Sequence, residues 1–208
     1  MSPAYASRRL ENAIRRRGVE FVAGVDEVGR GCLAGPVMAG AVVLHPDRLV
    51  SGIADSKLLS ADERERLFDE IVESALAWTV TRVDAAEIDR INIHRASLQA
   101  MREAVLALAP APGFVLVDGF RIPGLAIPQR ALVGGDRRCS AIAAASILAK
   151  VTRDRVMVSL HAEDPRFGFD QHKGYATRQH LDAVARFGYS RVHRKTFRQP
   201  TLFDTIPG

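Results

Sequence analysis

The feature that most constrains this chain is an apolar run that ends in two adjacent carboxylates and a glycine-rich turn, residues 21–36. Residues 21–25 have the composition of a short buried strand, and Asp26 and Glu27 follow directly. A sheet holds the backbone rigid at a strand end while the following loop stays open, so α/β proteins place their chemistry there. The stretch therefore predicts an α/β fold with a functional site at the end of this strand.

The turn after the two acids contains Gly29, Arg30 and Gly31. Glycine permits close backbone approach and positive φ angles, and arginine offers a planar fork of donors to phosphate or sugar oxygens. Two acids beside such a turn suit a hard divalent cation next to a phosphate. The alternative is an ordinary surface turn, because glycines are common wherever a chain reverses.

Two further acids follow apolar or glycine-rich segments. The wholly apolar run 114–117 ends at Asp118, and Asp136 follows two glycines just ahead of a predicted helix over 140–161. The dipole of that helix favours an anion at its start, although Asp136 as a simple capping acid is the alternative. Adjacent residues of a strand face opposite ways, so Glu27 is expected to lie past the strand end or to contribute only its backbone carbonyl.

A cluster of these acids would be unfavourable without cations to balance it. Magnesium prefers oxygen ligands and retains several waters, as a phosphodiester site requires. Two such ions roughly 4 Å apart can activate a water and stabilise the leaving oxygen. The acids therefore predict a metal-dependent phosphodiester hydrolase, and the sequence shows neither a P-loop nor a serine–histidine–acid pattern that would compete.

Periodicity and capping signals predict the remaining elements. Helices are expected over 7–18, from 61 onward after an N-cap at Ser60 with Glu63 in a capping box, and over 91–108, 140–161 and 177–187. Strands are expected over 37–44, antiparallel to the first, over 78–83, and at an edge within 122–133. The alanine-rich start of the helix over 140–161 predicts close packing on the sheet. Asp154, inside this long helix, is interpreted as a salt-bridge residue rather than a catalytic acid.

Composition limits the class of protein. The 208 residues carry a net charge of +5, which favours a polyanionic partner. Cys32 and Cys139 lack metal-ligand spacing and indicate free thiols in a reducing compartment. Because no apolar run approaches the roughly 18 residues of a membrane span, we expect a cytoplasmic protein with no membrane contact. We also expect a monomer.

Aromatic and basic residues alternate near the carboxyl end. Phe167 and Phe169 precede His172-Lys173-Gly174-Tyr175, and a basic cluster occupies 191–195. This mixture is typical of nucleic-acid contacts through charge and stacking. A small satellite core is the alternative interpretation of the aromatic residues.

Five segments together carry a resemblance to bacterial ribonuclease HII, the type 2 ribonuclease H. They are GVDEVGRGCLAGP at 24–36, DSKLLS at 55–60, VLVDG at 115–119, AAASILAKVTRDR at 143–155 and HKGYAT at 172–177. The resemblance covers most of the chain from 22 to 197 in family order.

The resemblance implies a ribonuclease H-like fold: a mixed five-stranded sheet flanked by helices, with a helical C-terminal part. Residues 1–197 would form one catalytic domain and 198–208 a flexible tail. The implied activity is two-metal-ion endonucleolytic cleavage with Mg²⁺ or Mn²⁺, leaving 3′-hydroxyl and 5′-phosphate ends. The implied substrates are RNA–DNA hybrids and single ribonucleotides embedded in duplex DNA, with roles in ribonucleotide removal and primer processing.

The resemblance also implies roles for individual residues. The catalytic and metal-binding carboxylates would be Asp26, Glu27, Asp118 and Asp136. The substrate-binding residues would be Gly29, Arg30, Gly31, Ser56, Lys57 and Tyr175, with Arg30 and the two glycines at the ribose 2′-hydroxyl and Tyr175 stacked on the following deoxyribose. Gly134 stands where the family usually has a lysine, and the resemblance implies that this difference would affect rate or substrate positioning.

Two questions stay open at the sequence level: the class of protein and the role of the last residues. A different nuclease or transposase of the same fold, and a non-catalytic nucleic-acid-binding module, are the alternatives to a ribonuclease. The segment Gln199–Phe203 resembles the short peptide with which bacterial DNA enzymes dock onto the sliding clamp. As the alternative, Leu202 and Phe203 would fold back onto the domain.

Overall fold

The computed structural model of this chain describes residues 5–197. Its centre is a five-stranded sheet in the order β3-β2-β1-β4-β5. The strands are β1 (Val22–Val28), β2 (Val37–Val43), β3 (Ala77–Val83), β4 (Phe114–Asp118) and β5 (Gln129–Leu132). β2 is antiparallel to both β1 and β3, whereas β4 is parallel to β1 and to β5. The mixed sheet, the antiparallel β1–β2 pair and the edge strand within 122–133 are confirmed.

Helices flank both faces of the sheet and form the C-terminal part. They are α1 (Arg9–Arg15), α2 (Ala61–Ser74), α3 (Ala85–Ile91), α4 (Ile93–Leu106), α5 (Ser140–Glu163), α6 (Phe169–His172) and α7 (Arg178–Phe187). The predicted start of α2 is confirmed, because the Ser60 hydroxyl accepts the Glu63 N–H at 3.2 Å and the Glu63 carboxylate accepts the Ser60 N–H at 2.8 Å.

The helix predicted over 91–108 is present as α4, but the separate helix α3 that precedes it was not predicted. Two helices, α3 and α4, meet at Asn92, which has a φ of 71°. Its N–H closes α3 on the Ile88 carbonyl, and its side chain accepts the Arg95 N–H at 3.0 Å to cap α4. Asparagine tolerates positive φ and bonds readily to nearby backbone, which is why one residue serves both helix ends.

Helix α5 lies unusually close to the sheet. A Cβ added at Gly24 would stand 2.1 Å from the Ala141 carbonyl carbon, and one at Gly40 would stand 2.4 Å from the Ala145 oxygen. Real Cβ contacts of this length do not occur, so both strand positions must be glycine where the helix crosses. The close packing predicted from the alanine-rich start of the helix is confirmed.

Apolar side chains form a core on each face of the sheet and a third, smaller cluster. α5 and α2 cover one face, and α4 covers the other. The third cluster lies under the C-terminal helices and contains Phe167 and Phe169, which are 1% and 0% exposed. The prediction that these two rings contact nucleic acid was wrong; the satellite-core alternative is confirmed.

No helix among residues 5–197 is long and apolar enough to cross a membrane. The predicted tail 198–208, including the segment Gln199–Phe203, lies outside the described residues.

Candidate active site

The parallel pairing of β1 and β4 brings two acids to one edge of the sheet. Val25 lies opposite Val117, so Asp26 and Asp118 occupy the next positions on neighbouring strands. Asp26 is buried and Asp118 is half-buried. The convergence expected of strand-end acids is therefore present for this pair.

Glu27 does not lie past the strand end, and that expectation was wrong. β1 continues to Val28, with Glu27 opposite Ala39 of β2. Asp26 and Glu27 nevertheless line the same cavity of about 140 Å³, together with Asp118. The Asp26 carboxylate turns towards the following peptide, where Oδ1 accepts the Glu27 N–H at 2.7 Å. Strand alternation alone thus gave the wrong position for Glu27, because side-chain torsions also decide where a carboxylate points.

Asp136 reaches the same region from a short 3₁₀ turn, Gly135–Arg137, that precedes α5. It is buried, and its carboxylate lies 3.8 Å from the Lys57 ammonium. The N-cap position of α5 is Cys139, so Asp136 is not the capping acid of that helix. Burial, with Asp55 and Asp118 as nearby anions, raises the pKa of Asp136.

The site holds more negative charge than its surroundings balance. Burial, followed by repulsion from Glu27 and Asp118, raises the pKa of Asp26 well above its usual range. Burial also raises the pKa of Glu27, although Arg30, 3.3 Å away, works against it. Carboxylates in this condition are stabilised by an added cation.

The donors are of one chemical kind, carboxylate oxygen, which hard divalent cations prefer. Within residues 5–197 no group of three or more His, Cys, Asp or Glu side chains already has the geometry of a metal site. Asp26, Glu27 and Asp118 instead border one cavity, and one oxygen of each accepts a hydrogen bond from the protein. The residues present fit a divalent cation by donor type and by charge.

The glycine turn is shaped by a buried arginine. Gly29 has a φ of +89°, and a Cβ there would lie 2.2 Å from Arg153 Nε. Gly31 has open space beside it and no positive φ, so only Gly29 of the pair needs left-handed backbone. The Arg30 carbonyl accepts a hydrogen bond from Arg194 Nη1 at 2.9 Å. The half-buried side chain of Arg30 donates to the Glu27 carboxylate.

Ser56 and Lys57 line the cavity, and so do two residues of α5 that the sequence interpretation missed, Ser146 and Lys150. The Ser56 and Ser146 hydroxyls are 3.0 Å apart. Ser146 and Lys150 are four positions apart on α5 and therefore share one face of the helix. Polar residues at that spacing in an alanine-rich helix were the available signal.

The predicted structural role of Asp154 is confirmed. Its carboxylate accepts a hydrogen bond from Lys150 Nζ at 2.8 Å within the same helix. Asp154 does not line the cavity that Asp26, Glu27 and Asp118 share. Lys150 thus connects this ion pair to the acidic edge of the sheet.

Tyr175 stands at the margin of the same cavity and is 42% exposed. Lys150 Nζ lies 6.0 Å from the centre of its ring. The neighbouring Gly174 carbonyl accepts the Leu33 N–H at 2.8 Å, which ties the tyrosine loop to the chain that follows the glycine turn. Of the predicted substrate-binding residues, those of the glycine turn and Tyr175 therefore lie on two connected segments, whereas Ser56 and Lys57 lie on a third.

Comparison with known proteins identifies the family. The sequence pattern described as Ribonuclease HII matches residues 23–200. The ribonuclease HII of Mycolicibacterium vanbaalenii is 52% identical over 91% of this chain and 77% of its own length. That of Mycobacterium tuberculosis is 51% identical over 91% of this chain and 73% of its own length.

Solved structures agree with the fold. The ribonuclease HII of Archaeoglobus fulgidus, determined in complex with PCNA, superposes with a TM-score of 0.74 at 29% identity, covering 89% of this chain and 100% of that one. The ribonuclease H2 of Pyrococcus horikoshii gives a TM-score of 0.72 at 26% identity, covering 86% and 94%. The resemblance and the ribonuclease H-like fold inferred from sequence are confirmed. The chain belongs to the ribonuclease HII family of endoribonucleases.

Proposed function

We propose that this chain is a divalent-metal-dependent endonuclease that cuts both RNA–DNA hybrids and duplex DNA at single embedded ribonucleotides. Membership of the ribonuclease HII family supports endonucleolytic cleavage of RNA in hybrids. The observation that carries the finer proposal is a single cavity bordered by Asp26, Glu27, Asp118 and Tyr175. This shared cavity supports a site in which the acids and the sugar-stacking Tyr175 ring would meet the same nucleotide.

The carboxylates of Asp26, Glu27, Asp118 and Asp136 would hold Mg²⁺ or Mn²⁺. A bound divalent ion lowers the pKa of a coordinated water and offsets charge on phosphate oxygens during hydrolysis. The raised pKa of Asp26, caused by burial and then by Glu27 and Asp118, supports this role because the folded chain supplies too little positive charge itself. The products would carry 3′-hydroxyl and 5′-phosphate ends.

The chain's own residues hold the acids in place. Asp118 Oδ1 accepts the Gly135 N–H at 2.6 Å, which restrains the carboxylate beside the cavity that Asp118 lines. Arg30 holds one oxygen of Glu27. Lys57 and Lys150 add positive charge at the border of the cavity, where a substrate phosphate would approach.

Recognition of the ribonucleotide is assigned to Gly29, Arg30 and Gly31 together with Tyr175. A protein distinguishes RNA from DNA at one position through the 2′-hydroxyl, which both donates and accepts a hydrogen bond. The open space beside Gly31 supports close approach of a ribose to the backbone of the turn. The exposed Tyr175 ring would stack on the deoxyribose that follows, so the pair would sense an RNA–DNA junction.

A sliding clamp is the proposed protein partner, bound through Gln199–Phe203. The Archaeoglobus ribonuclease HII was determined in complex with PCNA, and that likeness supports the proposal for this chain. An extended peptide can place two apolar side chains in a pocket while a glutamine bonds to the rim. The enzyme itself is proposed to act as a monomer.

The decisive experiment is cleavage of a duplex DNA that contains one ribonucleotide, with Mg²⁺ and with excess chelator. We expect one cut at the ribonucleotide with metal and none without it. An all-DNA duplex of the same sequence and the Asp118→Asn variant are the matched controls. Cleavage of the long hybrid but not of the single-ribonucleotide duplex would overturn the proposed substrate range.

A further inference from the structure

Three buried histidines lie together behind the Tyr175 loop and take no part in the chemistry proposed above. His172, His180 and His193 are 8%, 0% and 2% exposed. The His172 and His180 rings stack with centres 4.4 Å apart, and Phe169 packs against His180. Buried imidazoles need hydrogen-bond partners, and each ring nitrogen here has one.

The backbone partners decide the tautomer of His193. Its Nδ1 lies 2.9 Å from the Ser190 N–H, which can only donate, so Nδ1 carries no proton and the Ser190 hydroxyl, 2.8 Å away, donates to it as well. The neutral ring must then carry its proton on Nε2. That nitrogen lies 3.0 Å from Nε2 of His180.

The same reasoning decides His180 from the other side. Its Nδ1 lies 2.9 Å from the Tyr175 carbonyl, which can only accept, so Nδ1 carries the proton. Its Nε2 is therefore bare and accepts from His193. The two rings form one directed chain of hydrogen bonds from the Ser190 N–H to the Tyr175 carbonyl, with a single arrangement of protons that satisfies every member.

We propose that His193 and His180 are positioning residues, a relay of two neutral imidazoles that holds the Tyr175 backbone where its ring can meet the substrate. The proposal rests on the role of Tyr175 given under the proposed function. The Tyr175 carbonyl also accepts the Thr177 N–H at 2.8 Å, and its N–H donates to the His172 carbonyl at 2.9 Å. His180 is the side chain that adds a donor from outside this local turn.

The far end of the relay is joined to the segment after the glycine turn. Ala34 forms an isolated antiparallel bridge with His193, and the Gly35 N–H donates to the Val192 carbonyl at 2.8 Å. The near end carries Tyr175. The relay thus links the Tyr175 loop to the residues that follow the glycine turn. An apolar side chain of equal volume would lack directed hydrogen bonds and could not set the orientation of the Tyr175 backbone.

The first test is spectroscopic and uses the unaltered protein. Two-dimensional ¹H–¹⁵N correlation of histidine ring nitrogens at pH 7 distinguishes protonated from bare nitrogens. We expect His180 protonated on Nδ1 alone and His193 on Nε2 alone. Either ring in the opposite tautomer, or doubly protonated, would overturn the relay whatever the enzyme cleaves.

The second test exchanges the nitrogens one at a time. An asparagine amide occupies roughly the place of Nδ1, and a glutamine amide that of Nε2. At position 180 the relay needs a donor at Nδ1, so His180→Asn should retain more function than His180→Gln. At position 193 it needs a donor at Nε2, so His193→Gln should retain more than His193→Asn. A role in packing alone would give the same order at both positions.

The readout is the ratio of kcat/KM on the single-ribonucleotide duplex to kcat/KM on a long hybrid. We expect His180→Gln to lower this ratio by roughly 3- to 10-fold, the value of one buried hydrogen bond. Tyr175→Ala is measured beside it. A changed ratio for Tyr175→Ala with an unchanged ratio for His180→Gln would overturn the relay alone; an unchanged ratio for Tyr175→Ala would overturn the role of Tyr175 itself.

Discussion

The Asp118 carboxylate accepts the backbone N–H of Gly135 at 2.6 Å, which joins the end of β4 to the turn that carries Asp136. The Gly119 N–H also donates to the Leu132 carbonyl at 2.9 Å, so β5 returns the chain to the same edge of the sheet. Two acids far apart in sequence are brought together by these contacts. A cation bound at Asp118 would therefore influence the position of the turn that holds Asp136, because the Asp118 carboxylate is bonded to that turn.

Replacing Asp118 with asparagine should abolish most activity while keeping the fold. Asparagine keeps the size of the side chain but removes its negative charge, and metal clusters act as a unit, so we expect the cleavage rate constant to fall by roughly 10²-fold or more. The measurement is single-turnover cleavage at saturating Mg²⁺, with circular dichroism to verify folding. Asp154→Asn is the comparison, because Asp154 pairs with Lys150 but does not line the cavity, and this variant should affect stability more than rate. Near-normal activity of Asp118→Asn would contradict the site assignment.

The Asp26→Asn variant should melt at a higher temperature than the parent protein when no metal is present. Burial, then Glu27 and Asp118, raise the pKa of Asp26 above its unfolded value, so the stability it contributes at low pH is lost as pH rises through the folded pKa. At pH 8 asparagine removes that penalty, and we expect a gain of about 2–4 °C for each ~1 kcal/mol relieved.

Thermal melts in chelator at pH 8 and at pH 4 measure this effect. The gain should shrink at the lower pH, where the parent carboxyl is protonated, and added Mg²⁺ should stabilise the parent more than the variant. A lower melting temperature for Asp26→Asn at pH 8 would show that the Asp26 charge is already balanced.

Tyr175→Ala should distinguish the two substrates. We expect a larger loss on the single-ribonucleotide duplex than on a long hybrid, because a long hybrid offers many registers and a single ribonucleotide offers one. Arg30→Ala is the companion variant and should weaken both, since it frees Glu27 from its 3.3 Å contact. Steady-state kcat/KM on both substrates gives the comparison, and equal losses for Tyr175→Ala would count against stacking.

The histidine relay should make folding sensitive to acid. Burial and neighbouring His180 lower the pKa of His193 to about 4, so the unfolded chain binds the proton more readily than the folded one. The stability from a neutral His193 is present above pH ~6.5 and is lost as pH falls towards 4, on the order of 3 kcal/mol in all. Asp164 favours the charged ring, whereas His172 and His180 oppose it.

Urea denaturation of the parent and of His193→Gln between pH 4 and 7 measures this dependence. On acidification, the free energy of unfolding of the parent should fall more steeply than that of the variant, because glutamine does not titrate. The difference between the two slopes should approach the value for one additional proton bound by the unfolded chain. Carboxylates elsewhere are common to both proteins and cancel in the comparison. Parallel pH profiles would mean that His193 is not held neutral.

Binding to a sliding clamp should depend on the segment Gln199–Phe203. The intact protein should bind purified clamp with roughly micromolar affinity, sufficient to raise its concentration on replicated DNA. The Leu202→Ala, Phe203→Ala double variant should lose this binding yet keep full cleavage of free substrate. Identical binding by both proteins, measured by calorimetry, would remove the clamp from the proposed partners.

Several features of this protein were determined by local sequence. The apolar runs that end at Asp26 and Asp118 predicted the central strands, and Ser60 with Glu63 predicted the start of α2, because strand burial and helix capping depend on residues a few positions apart. The alanine-rich start of α5 predicted its close approach to the sheet for the same kind of reason. The motifs around these elements carried the family resemblance.

Other features were decided only by tertiary structure. Glu27 faces the shared cavity from within β1, Ser146 and Lys150 reach it from α5, and Phe167 is core rather than surface. Each depends on which element packs against which, and local periodicity carries no information about such partners. The proton positions on His180 and His193 are the clearest example, since they follow from a carbonyl at 175 and an amide at 190 that only the folded chain brings together. Sequence thus determined the elements and indicated the type of chemistry, whereas long-range packing decided the orientation of the groups proposed to perform it.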